Sequence, residues 1–346
     1  MRGTYFKVMA VLILSLMFIT AGCGKKQTEL NVYNWGDYID ESVLHDFEKK
    51  YDIKVNYDTF TTNEDMYVKV KAGGSSYDVL IPSDYMIKRM NDEGMLAKLD
   101  FANIPNYKYI DNRFKNLGYD PQNELSVPYM WGTVGILYNQ KMVQGNPDSW
   151  KILWDKKYTK QILMLDSQRD SIGVALKMLG FSLNSKNKAE LEKAKQALSE
   201  QKSLVLAYVV DEVKDKMIAE EAAIAVVWSG DAVYCTRENT NLKYYIPKEG
   251  TNLWFDAMVV PKNAAHKKEA ELFINFMCET DTAYKNADYI GYASPHTEAI
   301  KKLPSEITHD PSAYPSTADL TNSEVFVDLG SMIKDFDRIW TEVKSE

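Results

Sequence analysis

The 346 residues contain only four histidines and three cysteines. His45, His266, His296 and His309 are scattered, no His-Glu-x-x-His occurs, and each reads as a surface or helix residue rather than a metal ligand or catalytic base. A Gly-x-Ser-x-Gly elbow and a glycine-rich phosphate loop are also missing, which removes the common signatures of acyl and phosphoryl transfer. The chain is read as a non-enzyme without a cofactor. Basic residues are in deficit, 41 Lys+Arg against 49 Asp+Glu, and never cluster, so nothing could neutralise a run of phosphates. Nucleic acid is thereby excluded as a partner. No apolar run approaches the ~20 residues needed to span a bilayer as a helix.

The longest apolar run, Val8 to Ile19, follows Arg2 and Lys7 and ends in Thr20-Ala21-Gly22-Cys23. Basic residues, a short apolar stretch and small residues in that order read as an export signal. A cysteine directly after small residues resembles the bacterial lipoprotein signal, although Thr20 stands where a leucine is usual. The resemblance implies that residues 1–22 are removed and that Cys23 carries the lipid. Two or more acyl chains there would anchor the protein durably to the cell membrane, on its outer face or in the periplasm. Residues 23–29 would then be a tether. Loss of Arg2 and Lys7 takes the formal charge from −8 to −10, which favours a cationic ligand. Cys235 and Cys278 remain, with a disulfide and two buried thiols both open.

What the chain has in quantity is aromatic side chains, 12% of residues with 22 Tyr and 7 Trp, more than a minimal core needs. Patterning predicts strands over 29–35, 53–57, 77–82, 161–165, 223–228, 242–247 and 252–261. It predicts helices over 41–50, 66–71, from 84 to 94, from about 171, over 186–200, 267–278 and 325–343. Strand and helix alternate, which gives an α/β fold with a mostly parallel sheet and ligands beyond the strand ends. Val127 to Tyr138 reads as two extended segments joined at Gly132, the crossing between two lobes.

Aromatic residues recur beside carboxylates at the predicted strand ends: Trp35 to Tyr38, Ser83 to Tyr85, Trp228 to Asp231, and Trp254 to Asp256. One such pair is ordinarily a core plug and a helix cap. Four of them, divided between both lobes, suit an organic ammonium ion. Ring faces attract a cation by roughly 0.5–2 kcal/mol each, and carboxylates accept its N–H bonds with charge assistance. Rings to cover methylenes and acids to hold two ammonium ends describe a linear polyamine.

From Leu30 to Gly291 the chain resembles the polyamine-binding proteins of ABC transporters, specific for spermidine or putrescine. The resemblance rests on Tyr33 to Tyr38, Tyr77 to Ser83, Val127 to Gly132, Leu165 to Asp170, Trp228 to Asp231, Pro247 to Gly250, Trp254 to Asp256 and Ile290 to Tyr292. It implies a two-lobe periplasmic-binding-protein-like fold of type II with the ligand cleft between lobes. The expected lobes are 30–132 plus 256–300, and 136–252 plus 305–346, with crossings near 132–136, 252–256 and 300–305. By the same resemblance Trp35, Tyr38, Tyr85, Trp228, Trp254 and Tyr292 form an aromatic box and Ser83 adds a hydroxyl. Asp256 holds an ammonium, Asp170 stands where the family usually has Glu, and Asp37 and Asp231 match acids of its putrescine-preferring branch. Asp84 is read as a helix N-cap. Ser167 and Phe326 stand where spermidine-preferring relatives often carry an acid and a glutamine, which leaves the choice between putrescine and spermidine open. Partners implied are the polyamine and an ABC permease with its cytoplasmic ATPase, with the protein itself a monomer. The alternatives are ferric-iron binding through Tyr244 and Tyr245, and, less favoured, an exported acid/base hydrolase using Asp37 with Asp231.

Overall fold

The computed structural model describes residues 27–73 and 76–345. Cys23 and the export signal lie outside the described residues. The chain runs β1 (Thr28–Trp35), α1 (Glu41–Tyr51), β2 (Ile53–Phe60), α2 (Asn63–Lys71), β3 (Val79–Leu80) and α3 (Asp84–Asp92). Short 3-10 turns lead to β4 (Ser126–Asn139), and more precede β5 (Ile162–Leu165), α4 (Gln168–Met178), α5 (Lys188–Lys202), β6 (Val205–Val209) and α6 (Val213–Ile218). Then follow β7 (Ile224–Trp228), α7 (Ser229–Glu238), β8 (Leu242–Tyr245), β9 (Leu253–Val259), α8 (Lys267–Met277), α9 (Thr280–Ile290), α10 (Thr297–Ile300), α11 (Ser305–Thr308) and α12 (Ile333–Ser345).

The strands lie in the order β2-β1-β3-β9-β4-β7-β5-β6, with β8 also paired to β4. Strand β4 belongs to two sheets. Ser126 to Thr133 pair antiparallel with β9, whereas Val134 to Asn139 pair with β7 and β8. All fourteen of its residues are buried: the second half lies between β7 and β8, and the first half, paired with β9 on one side, meets Ala293 through Trp131 on the other. The expected break at Gly132 is therefore a continuous strand that changes partners one residue later, with a register shift between Pro128 and Met130. Parallel pairs β1/β2, β1/β3, β5/β6 and β5/β7 are matched by antiparallel pairs through β4 and β9, so the sheets are mixed rather than mostly parallel.

Helices α1 and α8 pack on the first sheet through Phe47, Phe273 and Phe276. Helix α12 packs on α4 and α5 beside the second sheet, around Phe336, Ile339 and Val343. Two further expectations fail. Residues 325–329 are not helical: a 3-10 turn over Gly330–Met332 precedes α12. His296 is buried, and its ring nitrogen Nδ1 accepts the Ala299 N–H as the cap of α10. Of the two readings left open for Cys235 and Cys278, the structure has the pair of buried free thiols.

Candidate functional site

A cavity of about 300 Å³ opens between the two sheets, within the usual size of a small-molecule site. Its wall contains all eleven residues the sequence nominated: Trp35, Asp37, Tyr38, Ser83, Tyr85, Asp170, Trp228, Asp231, Trp254, Asp256 and Tyr292. They arrive from strand ends and first helical turns. Trp35 ends β1, Trp228 ends β7, and Tyr85, Asp170 and Asp231 stand in the first turns of α3, α4 and α7. Strand-to-helix connections carry them because the pleat stops there and side chains of both elements can point past the sheet edge.

Tyr292 anchors the aromatic wall. Its ring meets Tyr38 edge-on at 5.4 Å and Trp254 at 5.2 Å between centroids, and its hydroxyl interacts electrostatically with Asp231. It can lie so close because Gly230 has no side chain: a Cβ there would sit 2.3 Å from the Tyr292 ring. Helix α7 of the second sheet thus touches a ring carried by the first, since Ala293 next to Tyr292 is bridged to Trp131 of β4. A second ring pair, Tyr85 against Phe326 at 5.9 Å, closes the other side, with the Arg169 guanidinium 4.3 Å above Phe326.

The electrostatics are one-sided. Asp37, Glu64, Asp65, Asp84, Asp166, Asp170, Asp211, Asp231 and Asp256 line the cavity, against Arg169 as the one base among the described lining residues. Asp256 is 5% exposed, and its Oδ2 accepts the Tyr38 hydroxyl at 2.8 Å. Its Oδ1 is buried with no hydrogen-bond partner among the described residues. Burial raises its pKa to about 7, against the opposing pull of the Ser83 and Tyr38 hydroxyls. Asp231 is likewise raised to about 7, chiefly by burial and against the pull of Lys214. Asp170 accepts Ser167 Oγ at 2.7 Å and Asn252 Nδ2 at 3.3 Å, and burial raises its pKa too.

Asp84 is not the N-cap of α3. That position belongs to Ser83, whose hydroxyl accepts Asn63 Nδ2 at 3.1 Å instead of capping the helix. Asp84 is the first helical residue, buried, and it accepts the N–H of Tyr85 at 2.6 Å and of Phe255 at 3.0 Å. Desolvation still dominates and lifts its pKa to about 8. It ties α3 to β9 directly behind Asp256. Sequence reading passed over Glu64, which accepts the Tyr85 hydroxyl at 3.0 Å, and Asp211, which follows β6. Asp211 follows the same rule as the nominated acids, a carboxylate just past a strand, but that strand was missed.

Tyr244 and Tyr245 do not form a metal pair. They face opposite sides of β8, and the Tyr244 hydroxyl lies 2.9 Å from Thr133 Oγ1. Neither lines the cavity.

A two-sheet α/β body joined by a shared strand, with an acid-rich, ring-lined cleft at the joint, defines an extracytoplasmic solute-binding protein. The profile of the family described as bacterial extracellular solute-binding protein matches residues 42–315. The spermidine/putrescine-binding periplasmic protein of Salmonella typhimurium is 33% identical over 318 residues, covering 91% of both chains. The crystal structure of the spermidine/putrescine ABC transporter substrate-binding protein PotD from Streptococcus pneumoniae is 40% identical. It superimposes with a TM-score of 0.78 over 92% of this chain and 99% of its own. The Tp0655 lipoprotein of Treponema pallidum gives 29% identity and a TM-score of 0.81 over 91% and 99%. The chain belongs to the polyamine-binding branch of the ABC-transporter solute-binding proteins.

Proposed function

We propose that the protein captures a linear polyamine, putrescine or spermidine, in the cleft and delivers it to an ABC permease driven by a cytoplasmic ATPase. It acts as a monomer by binding, without chemistry on the ligand. The observation that carries this reading is Asp256: a buried carboxylate whose Oδ1 has no hydrogen-bond partner among the described residues, set among Tyr38, Tyr292 and Trp254. A buried carboxylate is costly unless paired, and an ammonium ion supplies both the charge and the N–H donors. The rings cover the methylenes between ammonium groups. Names of the relatives support the same ligand class.

The expected lobes, 30–132 plus 256–300 and 136–252 plus 305–346, are proposed as the moving bodies. Closure presses the second lobe's Asp170, Trp228 and Asp231 onto a ligand held by the first. Closure must be driven by contacts made only in the closed form.

Proton linkage tests the reading. Asp256 and Asp231 have pKa values near 7 in the ligand-free cleft, so below that they are largely protonated. An ammonium ion binds the ionised form, so binding at pH 6 must expel protons. Polyamine affinity, followed by tryptophan fluorescence from Trp35, Trp228 and Trp254, should rise from pH 5 to about 8 and then level off. A flat profile across that range would remove the buried acids from the site.

We further infer lipid attachment at Cys23, in keeping with the lipoprotein named among the relatives. Cys23→Ala should abolish labelling by radioactive palmitate and move the protein from the membrane fraction to the soluble one. Undiminished labelling would reject the site.

A further inference from the structure

Lys214, on α6, is the one lysine within ion-pair distance of the cleft acids Asp37 and Asp231 among the described residues. Its Nζ lies 2.6 Å from Asp37 Oδ2 and 4.0 Å from Asp231 Oδ1. Asp211 acts on the same ammonium electrostatically. All three acids line the cavity. They come from both sides of it: Asp37 follows β1 of the first sheet, while Asp211 and Asp231 belong to the second. The Lys214 side chain is 15% exposed, that of Asp231 9% and that of Asp37 61%, so the ammonium bridges from the open rim at Asp37 to the buried Asp231. Burial works against its charge, yet Asp231 and Asp37 outweigh that and raise its pKa.

A lysine side chain is itself an alkylammonium, the same chemical group as the end of a polyamine. We propose that Lys214 sets ligand length by placing its own ammonium in the outer ammonium subsite of the cleft, formed by Asp37, Asp211 and Asp231. The ligand then extends from Asp256 and Asp170 no further than Asp231, which it shares with Lys214. The identity of the ligand rests on the polyamine reading above; occupation of the subsite by Lys214 does not. Lys214→Ala leaves three carboxylates facing one another without a cation, and an added ammonium restores the balance.

Two measurements on the purified protein test this. In the first, wild type and Lys214→Ala are melted in propylammonium chloride and in sodium chloride of equal ionic strength. Propylammonium is the part of the side chain that the substitution deletes. It should raise the melting midpoint over sodium by several degrees more in the variant than in the wild type, whose Asp256 site is shared by both; an equal response of both proteins would overturn the proposal. In the second, affinities for spermine and putrescine are compared by calorimetry. The spermine-to-putrescine ratio should rise about tenfold or more in the variant, as a longer amine gains one further ion pair. An unchanged ratio, including a uniform loss that would make Lys214 only a latch, would overturn it. Lys214→Met, which keeps the apolar stem, repeats both tests should the alanine variant fold poorly. If the wild type binds no polyamine, the ligand reading fails and the propylammonium melts still decide the role of Lys214.

Discussion

Asp256→Asn should weaken polyamine binding by about 2–5 kcal/mol, roughly 30-fold to several thousand-fold, the range for leaving one member of a buried charged pair without its partner. The effect is large because the acids that act electrostatically on Asp256 are already engaged. Asp84 lies behind Asp256 and already accepts two backbone N–H groups, and Asp170 is engaged with Ser167 and Asn252. The substitution is nearly isosteric, and asparagine keeps an acceptor for the Tyr38 hydroxyl that now meets Oδ2. A neutral amide is also cheaper to bury than a carboxylate, so the ligand-free protein should be no less stable than wild type at pH 8. Loss of affinity with retained melting temperature is the expected pattern. A change smaller than threefold would remove Asp256 from the site.

Gly230→Ala should cost about 1–3 kcal/mol in affinity, the usual penalty of forcing a group into a filled space. The new Cβ would stand 2.3–2.5 Å from the Tyr292 ring, so ring or helix must move. Tyr292 cannot yield freely: it is wedged against Tyr38 and Trp254. Because α7 and Tyr292 belong to different sheets, opening of the cleft relieves the clash, whereas closure restores it. Alanine also favours the helix over glycine by up to about 1 kcal/mol. The variant should therefore stay folded, bind more weakly and contract less on ligand addition when followed by small-angle scattering. Wild-type affinity and contraction would show that Tyr292 is not part of the closing contact.

Most elements were legible because their apolar residues are spaced cleanly. Helix α1 starts at Glu41 and α8 at Lys267, as the periodicity of Val43, Leu44 and Phe47 and of Ala270, Phe273, Ile274 and Met277 requires. Helix α9 was missed because the face it buries is made of Thr282, Ala283, Asn286, Ala287 and Ile290, small or polar residues that carry little periodic signal. Strand β6 escaped for a related reason: at the sheet edge its Leu206 is exposed and no alternation marks it. The stretch 325–329 was included in the predicted helix, but Phe326 turns into the cleft under Arg169. The nominated site residues were found because an aromatic ring beside an acid is a local signal. Lys214 was not, since its acids come from distant segments and only folding brings them together.

The most direct test is titration calorimetry of the ligand-stripped protein with putrescine, spermidine and spermine in turn. The account predicts tight one-to-one binding of at least one polyamine, lost in Asp256→Asn. Absence of binding by all three to a folded protein would contradict it.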